Sequence, residues 1–305
     1  MSTPTLHCRS RHFHWDNAEP PALELEPGAV IELEVLEASA GQVTRGSGVS
    51  AIAALDFGRV NPVTGPLFVK GAEPGDSICV ELLGFEPSGW GWTAIIPGFG
   101  LLAQDFPQPF LHLTQYDREH IEFLPGVLLP TRPFVGTIGL ALKEPGRHSV
   151  VPPRHVGGNL DCRDMIAGSV AQFPVEVSGG LLSLGDTHAA QGNGEVCGTA
   201  VESGMLVRAR VGLKKQAPIR FPRLSVPAPA SAAGPSFLTL GVGPDLMQAA
   251  KDAVREMIDH LMSEYRLSAE LSYCLCSVAV QLEISEIVDV PNWVVAARLP
   301  RDIFR

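Results

Sequence analysis

The chain has 305 residues, 33 of them acidic and 23 basic, for a formal charge of −10 at neutral pH. That length can bury a sizeable core as one large β-rich unit or as two fused halves. The acidic balance, with no basic stripe interleaved with aromatics, argues against nucleic acid and anionic membranes as partners.

The N-terminal stretch "MSTPTLHCRSRHFHWDN" lacks the apolar core of a secretion signal. No run of about 18 apolar residues follows anywhere, so a soluble, cytoplasmic protein is expected. Cysteines at 8, 79, 162, 197, 274 and 276 show no C-x-x-C spacing. Reduced thiols are expected rather than a zinc knuckle or a disulfide scaffold. Short apolar runs are punctuated by 31 glycines and 26 prolines, the pattern of strands and turns. "AVIELEVLEA" (29–38) alternates Val30, Glu32 and Glu34 with Ile31, Leu33 and Val35, as a half-buried strand does. "DSICVELLGFEP" (76–87) follows after a Pro-Gly turn. Further strands are expected within "GWTAIIPG" (91–98), "HIEFLPGVLLP" (120–130), "FVGTIGLAL" (134–142) and "FPVEVSGGLLSLGD" (173–186).

"SVPAPASAAGPS" (225–236) has the composition of an extended connector. Beyond it, "PDLMQAAKDAVREMIDHLMSEY" places Leu246, Ala250, Val254, Met257, Leu261 and Tyr265 on one helical stripe, with Pro244 suited to the first turn. A second helix over "SAELSYCLCSVAV" aligns Leu271, Cys274, Leu275 and Val278 and completes a helical hairpin. Cys274 and Cys276 point to different faces there and are expected as core filling. The expected organisation is a β-rich body over 1–224 carrying the site motifs, with connector, hairpin and closing strand over 225–305 packed on it as one unit. No fixed-period repeat is present.

Chemistry concentrates in "GDTHAAQGNGEVCG" (185–198), where Asp186, His188, Gln191 and Glu195 stand among small residues. Two-residue spacing in extended chain aims Asp186 and His188 to one face. Gly192 and Gly194 permit a turn that returns Glu195 toward the same volume. Upstream, "HVGGNLDCRD" alternates Asn159, Asp161 and Arg163 after paired glycines and reads as a second half-site. Carboxylates and an imidazole from separate strands suit zinc or a similar divalent ion. Plainer roles are a turn acid or an ion pair with Arg163 or Arg154 for Asp161, and a buried hydrogen-bonded pair for Asp186 and His188. His112, His148 and His155 are expected as surface or hydrogen-bonded histidines. A thiolate at Cys197 or Cys162 would offer nucleophilic chemistry; small buried apolar packing is favoured for both.

These residues resemble the acetamidase/formamidase family over nearly the whole length. The likeness runs through "NPVTGPLFVKGAEPGD", "GGNLDCRD", "GDTHAAQGNGEVCGTAVE" and "EISEIVDVPNWVVAARLP", the glycine-spaced "GDTHAAQGNGE" being the specific signal. The resemblance implies a mainly β, jelly-roll-like sandwich with small α+β additions and a C-terminal helical pair. It also implies metal-dependent hydrolysis of the carbon–nitrogen bond of short linear amides. The family positions carry over as Asp161, Asp186, His188, Gln191 and Glu195, while Asn193 and Glu37 stand where the family commonly has Asp. Amide hydrolysis requires activated water, a stabilised oxyanion and a proton for nitrogen. The corresponding assignment is a divalent ion, zinc first and calcium or another next, on Asp161, Asp186 and His188. Glu195 then carries the proton, and Gln191 or Asn159 binds the amide or oxyanion. Two other readings use the same residues: a metal-dependent lyase or isomerase on a small oxoacid, and a non-catalytic ligand-binding sandwich. The wide apolar stripe of the long helix, with Met247, Met257, Ile258 and Met262 beside it, points to a homo-oligomer with hairpin contacts.

Overall fold

The alternation at residues 29–38 becomes the strand Ala29–Val35, with Ile31, Leu33 and Val35 turned into the core. Its structure was obtained as a computed structural model, which describes residues 3–227 and 234–304. The strand belongs to a nine-stranded sheet ordered Thr5–Leu6, Ala29–Val35, Met205–Lys214, Ser77–Pro87, Val170–Pro174, Arg223–Val226, Ser236–Gly243, Trp293–Pro300 and Gln281–Glu286. All neighbours in it are antiparallel except the first pair. A second, six-stranded sheet runs Gly157–Asn159, Phe134–Gly139, Leu182–His188, Val63–Val69 and Arg11–His12, with Leu23–Leu25 added on Val63–Val69. One core cluster draws on both sheets, Ile31, Val80 and Val207 from the larger and Leu67, Ile138 and Leu184 from the smaller. The result is the expected mainly β sandwich with a C-terminal helical pair.

Several local readings change. Residues 120–130 form two short strands, His120–Leu124 and Val127–Pro130, folded on each other as a hairpin. Residues 173–186 divide between the sheets, since Val170–Pro174 joins the larger and Leu182–His188 the smaller. The connector expected over 225–236 is shorter, because Ser225 and Val226 lie in one strand and Ser236 begins the strand that pairs with it. Its central part, 228–233, lies outside the described residues.

The long helix spans Leu246–Tyr265 and is capped by Asp245, whose Oδ1 accepts from Gln248 N at 2.6 Å. Pro244 therefore sits before the cap rather than in the first turn. The innermost line is Ala249, Ala253, Met257 and Leu261, rotated from the expected stripe; Leu246, Ala250, Val254 and Tyr265 flank it half-buried. Small residues win because the helix lies directly on Ser236–Gly243: a Cβ at Gly241 would fall 1.9 Å from Ala249 O. Thr239 Oγ1 donates to Ala253 O at 2.7 Å across the same contact. The second helix, Ala269–Ala279, also packs through its small side. Ser272, Leu275, Cys276 and Ala279 face inward, whereas Leu271, Cys274 and Val278 of the expected stripe are exposed. No helix among the described residues is long and apolar enough to cross a membrane.

Candidate active site

Phe134–Gly139 and Leu182–His188 are buried along their whole lengths rather than on alternate residues. One face meets the larger sheet, so polar residues on the other face must satisfy one another. Register pairs Phe134 with His188, Val135 with Thr187 and Thr137 with Gly185. Between the last two pairs stands Gly136, and its missing side chain makes the site. A Cβ there would lie 2.5 Å from Asp161 Oδ1, 2.8 Å from His188 Cε1 and 2.9 Å from Asp186 O.

The expected convergence of Asp186 and His188 is present, with Nε2 of His188 3.2 Å from Asp186 Oδ1. Asp161 joins them, its Oδ1 3.8 Å from His188 Nδ1. The proposed alternation of Asn159, Asp161 and Arg163 does not survive. Asp161 adopts a left-handed backbone (φ 41°), which breaks the extended run and turns Arg163 into a separate pocket. Neither Arg163 nor Arg154 pairs with Asp161; Arg154 donates to the carbonyls of Ser149 and Pro152. Asp186 and Glu195 are also left-handed (φ 51° and 47°). For non-glycine residues this conformation costs on the order of 1 kcal/mol or more each and is tolerated where the surroundings enforce it.

Gln191 is committed at both ends of its amide. Its Nε2 donates to Asp161 O and its Oε1 receives Nδ1–H of His188, each at 2.9 Å. The ring is thereby fixed with Nε2 toward the acids. Nε2 also lies 3.2 Å from Glu202 Oε2, an oxygen that receives no hydrogen bond. Asn159 accepts from Thr137 Oγ1 and donates to Asp289 Oδ2 at 2.5 Å. Glu195 is buried, and no donor among the described residues reaches its carboxyl.

Glu202, Asp289 and Glu286 complete the cluster without having been singled out in the sequence. Glu202 follows in "TAVESG" with no telling spacing. Glu286 and Asp289 arrive from the C-terminal segment, nearly 100 residues away, and fall inside "EISEIVDVPNW". Donor atoms of three sets lie within 4.8 Å of one another: Asp161, Asp186 and His188; His188, Glu195 and Glu202; Asp161, Glu195 and Asp289. No Lys or Arg among the described residues pairs with any of these acids.

Crowding of buried carboxylates around one imidazole dominates the electrostatics. Burial, then proximity to other acids, pushes Asp161 up to about 7 and Glu202 up to about 8. Burial lifts Glu286 to about 8 and moves Glu195 and Asp289 well above the carboxylate range. For Asp186 burial acts upward, but the His188 charge and hydrogen bonds from His188, Glu202 and Thr137 outweigh it and lower the group. His188 is raised despite burial, by Glu202 and Asp186. Both oxygens of Asp161 and one of Glu202 are buried without a hydrogen-bond donor. Orphaned carboxylate oxygens clustered beside an imidazole fit a divalent cation, which replaces the protons otherwise needed to hold the charge. Asp186, Glu195, Glu202, Asn159 and Asp289 border a cavity of about 40 Å³. Asn61 borders it too and donates to Asp186 Oδ2 at 3.3 Å.

Glu37 stands outside this cavity. Its oxygens accept from Ser39 N, Ser39 Oγ, Gly41 N and Trp92 Nε1, so it shapes the loop whose Ala38 and Ser39 form the wall. His155 binds Glu176, His112 the Phe123 carbonyl and His148 the Glu144 carbonyl, their plainer roles. All six cysteines are unpaired, with Cys162 and Cys276 buried and Cys274 exposed. Burial pushes the Cys162 thiol up to about 12, which removes it as a nucleophile. Cys197 Sγ donates to Thr199 O at 3.3 Å.

The profile of the acetamidase/formamidase family matches residues 3–147 and 144–305. A formamidase of Methylophilus methylotrophus is 26% identical over 364 aligned positions, spanning 96% of this chain and 89% of its own. Among solved structures, an acetamidase of Bacillus halodurans superposes with a TM-score of 0.90 at 31% identity, over 98% of each chain. A predicted acetamidase/formamidase of Thermoanaerobacter tengcongensis gives 0.90 at 29% identity, over 99% of this chain and 96% of the other.

Proposed function

The chain belongs to the acetamidase/formamidase family, and from that premise we propose that it hydrolyses the carbon–nitrogen bond of short linear amides to carboxylate and ammonia in a metal-dependent reaction. The observation that carries this reading is the pair of orphaned acids beside the His188 ring, Glu202 Oε2 at 3.2 Å from its Nε2 and Asp161 on its Nδ1 side, next to a small cavity that Asp186, Glu195 and Glu202 line.

Asp161, Asp186 and His188 are proposed to hold a divalent ion; the imidazole among the donors favours zinc over calcium. Such an ion supplies the positive charge that activates water and polarises an amide carbonyl. Gln191 keeps the His188 tautomer, so it acts on the ring and not on the substrate. Glu195, buried and without a protein donor, moves the proton from water to the departing nitrogen, because the amide anion is too basic to leave unprotonated. Asn159 and Asn61 border the cavity beside these acids; Asn61, whose side chain is bonded only through its Nδ2 among the described residues, orients the amide group, while Asn159, bonded to Thr137 and Asp289, holds Asp289 in place.

Ammonia release from formamide, acetamide, propionamide and bulkier amides tests this directly. Absence of release from every amide, by folded protein loaded with zinc, would overturn it.

The proposed setting is the cytoplasm, which six unpaired cysteines support. The proposed assembly is a homo-oligomer using the hairpin, where Met247, Met262, Leu271, Tyr273 and Val278 are exposed, with Leu282 exposed on the strand that follows. Met257, once counted toward that surface, is core. Light scattering across a concentration series decides it: one chain's mass throughout at micromolar concentration contradicts the assembly, and Val278→Asp should dissociate it.

A further inference from the structure

Behind the loop that carries Glu195 lies a second, larger space of about 410 Å³. Glu195 and Thr199 border both this pocket and the small cavity, so the two spaces adjoin at these residues. Most of the wall is apolar, formed by Phe123, Leu129, Pro130 and Phe134, and two guanidinium groups, Arg132 and Arg163, interrupt it.

Arg163 is half-buried and makes no ion pair or hydrogen bond among the described residues. The acid close enough to feel it, Glu283, is already taken through both oxygens by Arg298. Arg132 spends one nitrogen on Asp164 Oδ1 at 2.9 Å, while its Nε is buried with no acceptor. A guanidinium held at an apolar wall with unused donors suits a planar anion.

We propose that this pocket is an acyl subsite for amides bearing a carboxylate at the far end of a short chain, with Arg163 as the residue that binds that carboxylate. The inference rests on the amidase reading and names its substrate class, the monoamides of short dicarboxylic acids. Water adds to the amide carbonyl, the carbon–nitrogen bond breaks, nitrogen leaves as ammonium, and the dicarboxylate remains. The apolar wall covers the methylenes, and the spacing from Glu195 to Arg163 sets the chain length.

The test compares kcat/KM for succinamate and glutaramate with that for butyramide and pentanamide, and measures glutarate binding by calorimetry on the same zinc-loaded protein. The expected preference for the anionic amide is about ten- to a hundredfold. Arg163→Gln should bring that ratio close to one and weaken glutarate similarly. Arg163→Lys should restore part of both, and melting curves confirm folding. Turnover of the neutral amides with no preference for the anionic ones, and a ratio insensitive to Arg163, overturns the subsite and leaves the amidase reading standing. Glutarate binding that depends on Arg163, with no amide turned over, supports the subsite and overturns the amidase reading. Absence of both turnover and glutarate binding overturns both.

Discussion

Replacing Gly136 by Ala is the sharpest structural perturbation of the site, because it adds one methyl group and changes no donor or charge. The residue lies in a regular strand whose backbone any amino acid can adopt, so the effect is purely steric. Ordinary contacts begin near 3.4 Å, whereas the new Cβ would lie 2.5 Å from Asp161 Oδ1, so the carboxyl must retreat by about 0.9 Å. His188 Cε1 and Asp186 O, at 2.8 and 2.9 Å, must give way as well. Overpacking of this kind costs about 1–3 kcal/mol, equivalent to a fall in Tm of roughly 2–5 °C in a chain this size. A displacement near 1 Å within a reacting constellation costs about 100-fold in rate. Gly212→Ala is the control: its Cβ would meet Cys79 no closer than 3.8 Å, in another strand. Melting curves, bound-metal content and ammonia release on both variants form the assay. The account expects a modest Tm loss, reduced metal and a deep loss of turnover for Gly136→Ala alone. Turnover near that of the parent protein would refute the claim that Asp161, Asp186 and His188 work as one packed unit behind Gly136.

Cys197→Ala should keep most of the activity, whereas Asp186→Asn and His188→Ala should each lose it; an acyl adduct trapped on Cys197, with the alanine variant folded but dead, would make the enzyme a thiol amidase. His260 is stacked 3.7 Å from Phe237, and burial, with Arg223 and Arg301 nearby, lowers it to about 4. The unfolded chain binds its proton first, so stability from this residue is full above about pH 6.5 and is lost as pH falls toward about 4. The loss is on the order of 1–3 kcal/mol. Denaturant midpoints for the parent and His260→Gln across that range should converge at low pH, and parallel curves would disprove the shift.

Much of the sandwich was legible because period-two alternation reports burial on one face, as in Ala29–Val35. Burial on both faces is less legible, and there the pattern misleads. Within residues 173–186 the turn that crosses from one sheet to the other is marked by Gly179 and Gly180, both left-handed, but no local pattern says that the strands on either side of it belong to different sheets. The helices misled differently: apolar bulk pointed to Leu271 and Val278, while close packing selected Ala249, Ala253, Ser272 and Cys276. Half of the site was visible because glycines clear space around Asp186, His188, Gln191 and Glu195. Glu202 and Asp289 were not, because their approach depends on pairings across the fold rather than on spacing. Arg163 alternated correctly in the sequence but left the line at the left-handed backbone of Asp161, which no local pattern announces.

The central claim is that a buried divalent ion on Asp161, Asp186 and His188 is needed to cleave short amides. Its most direct test is ammonia release and metal content measured on one preparation before chelation, after it, and after zinc is returned. The account predicts that turnover of at least one of formamide, acetamide and propionamide falls with the metal and recovers with it, and that Asp186→Asn neither binds the ion tightly nor recovers. Undiminished turnover by demonstrably metal-free protein would contradict it.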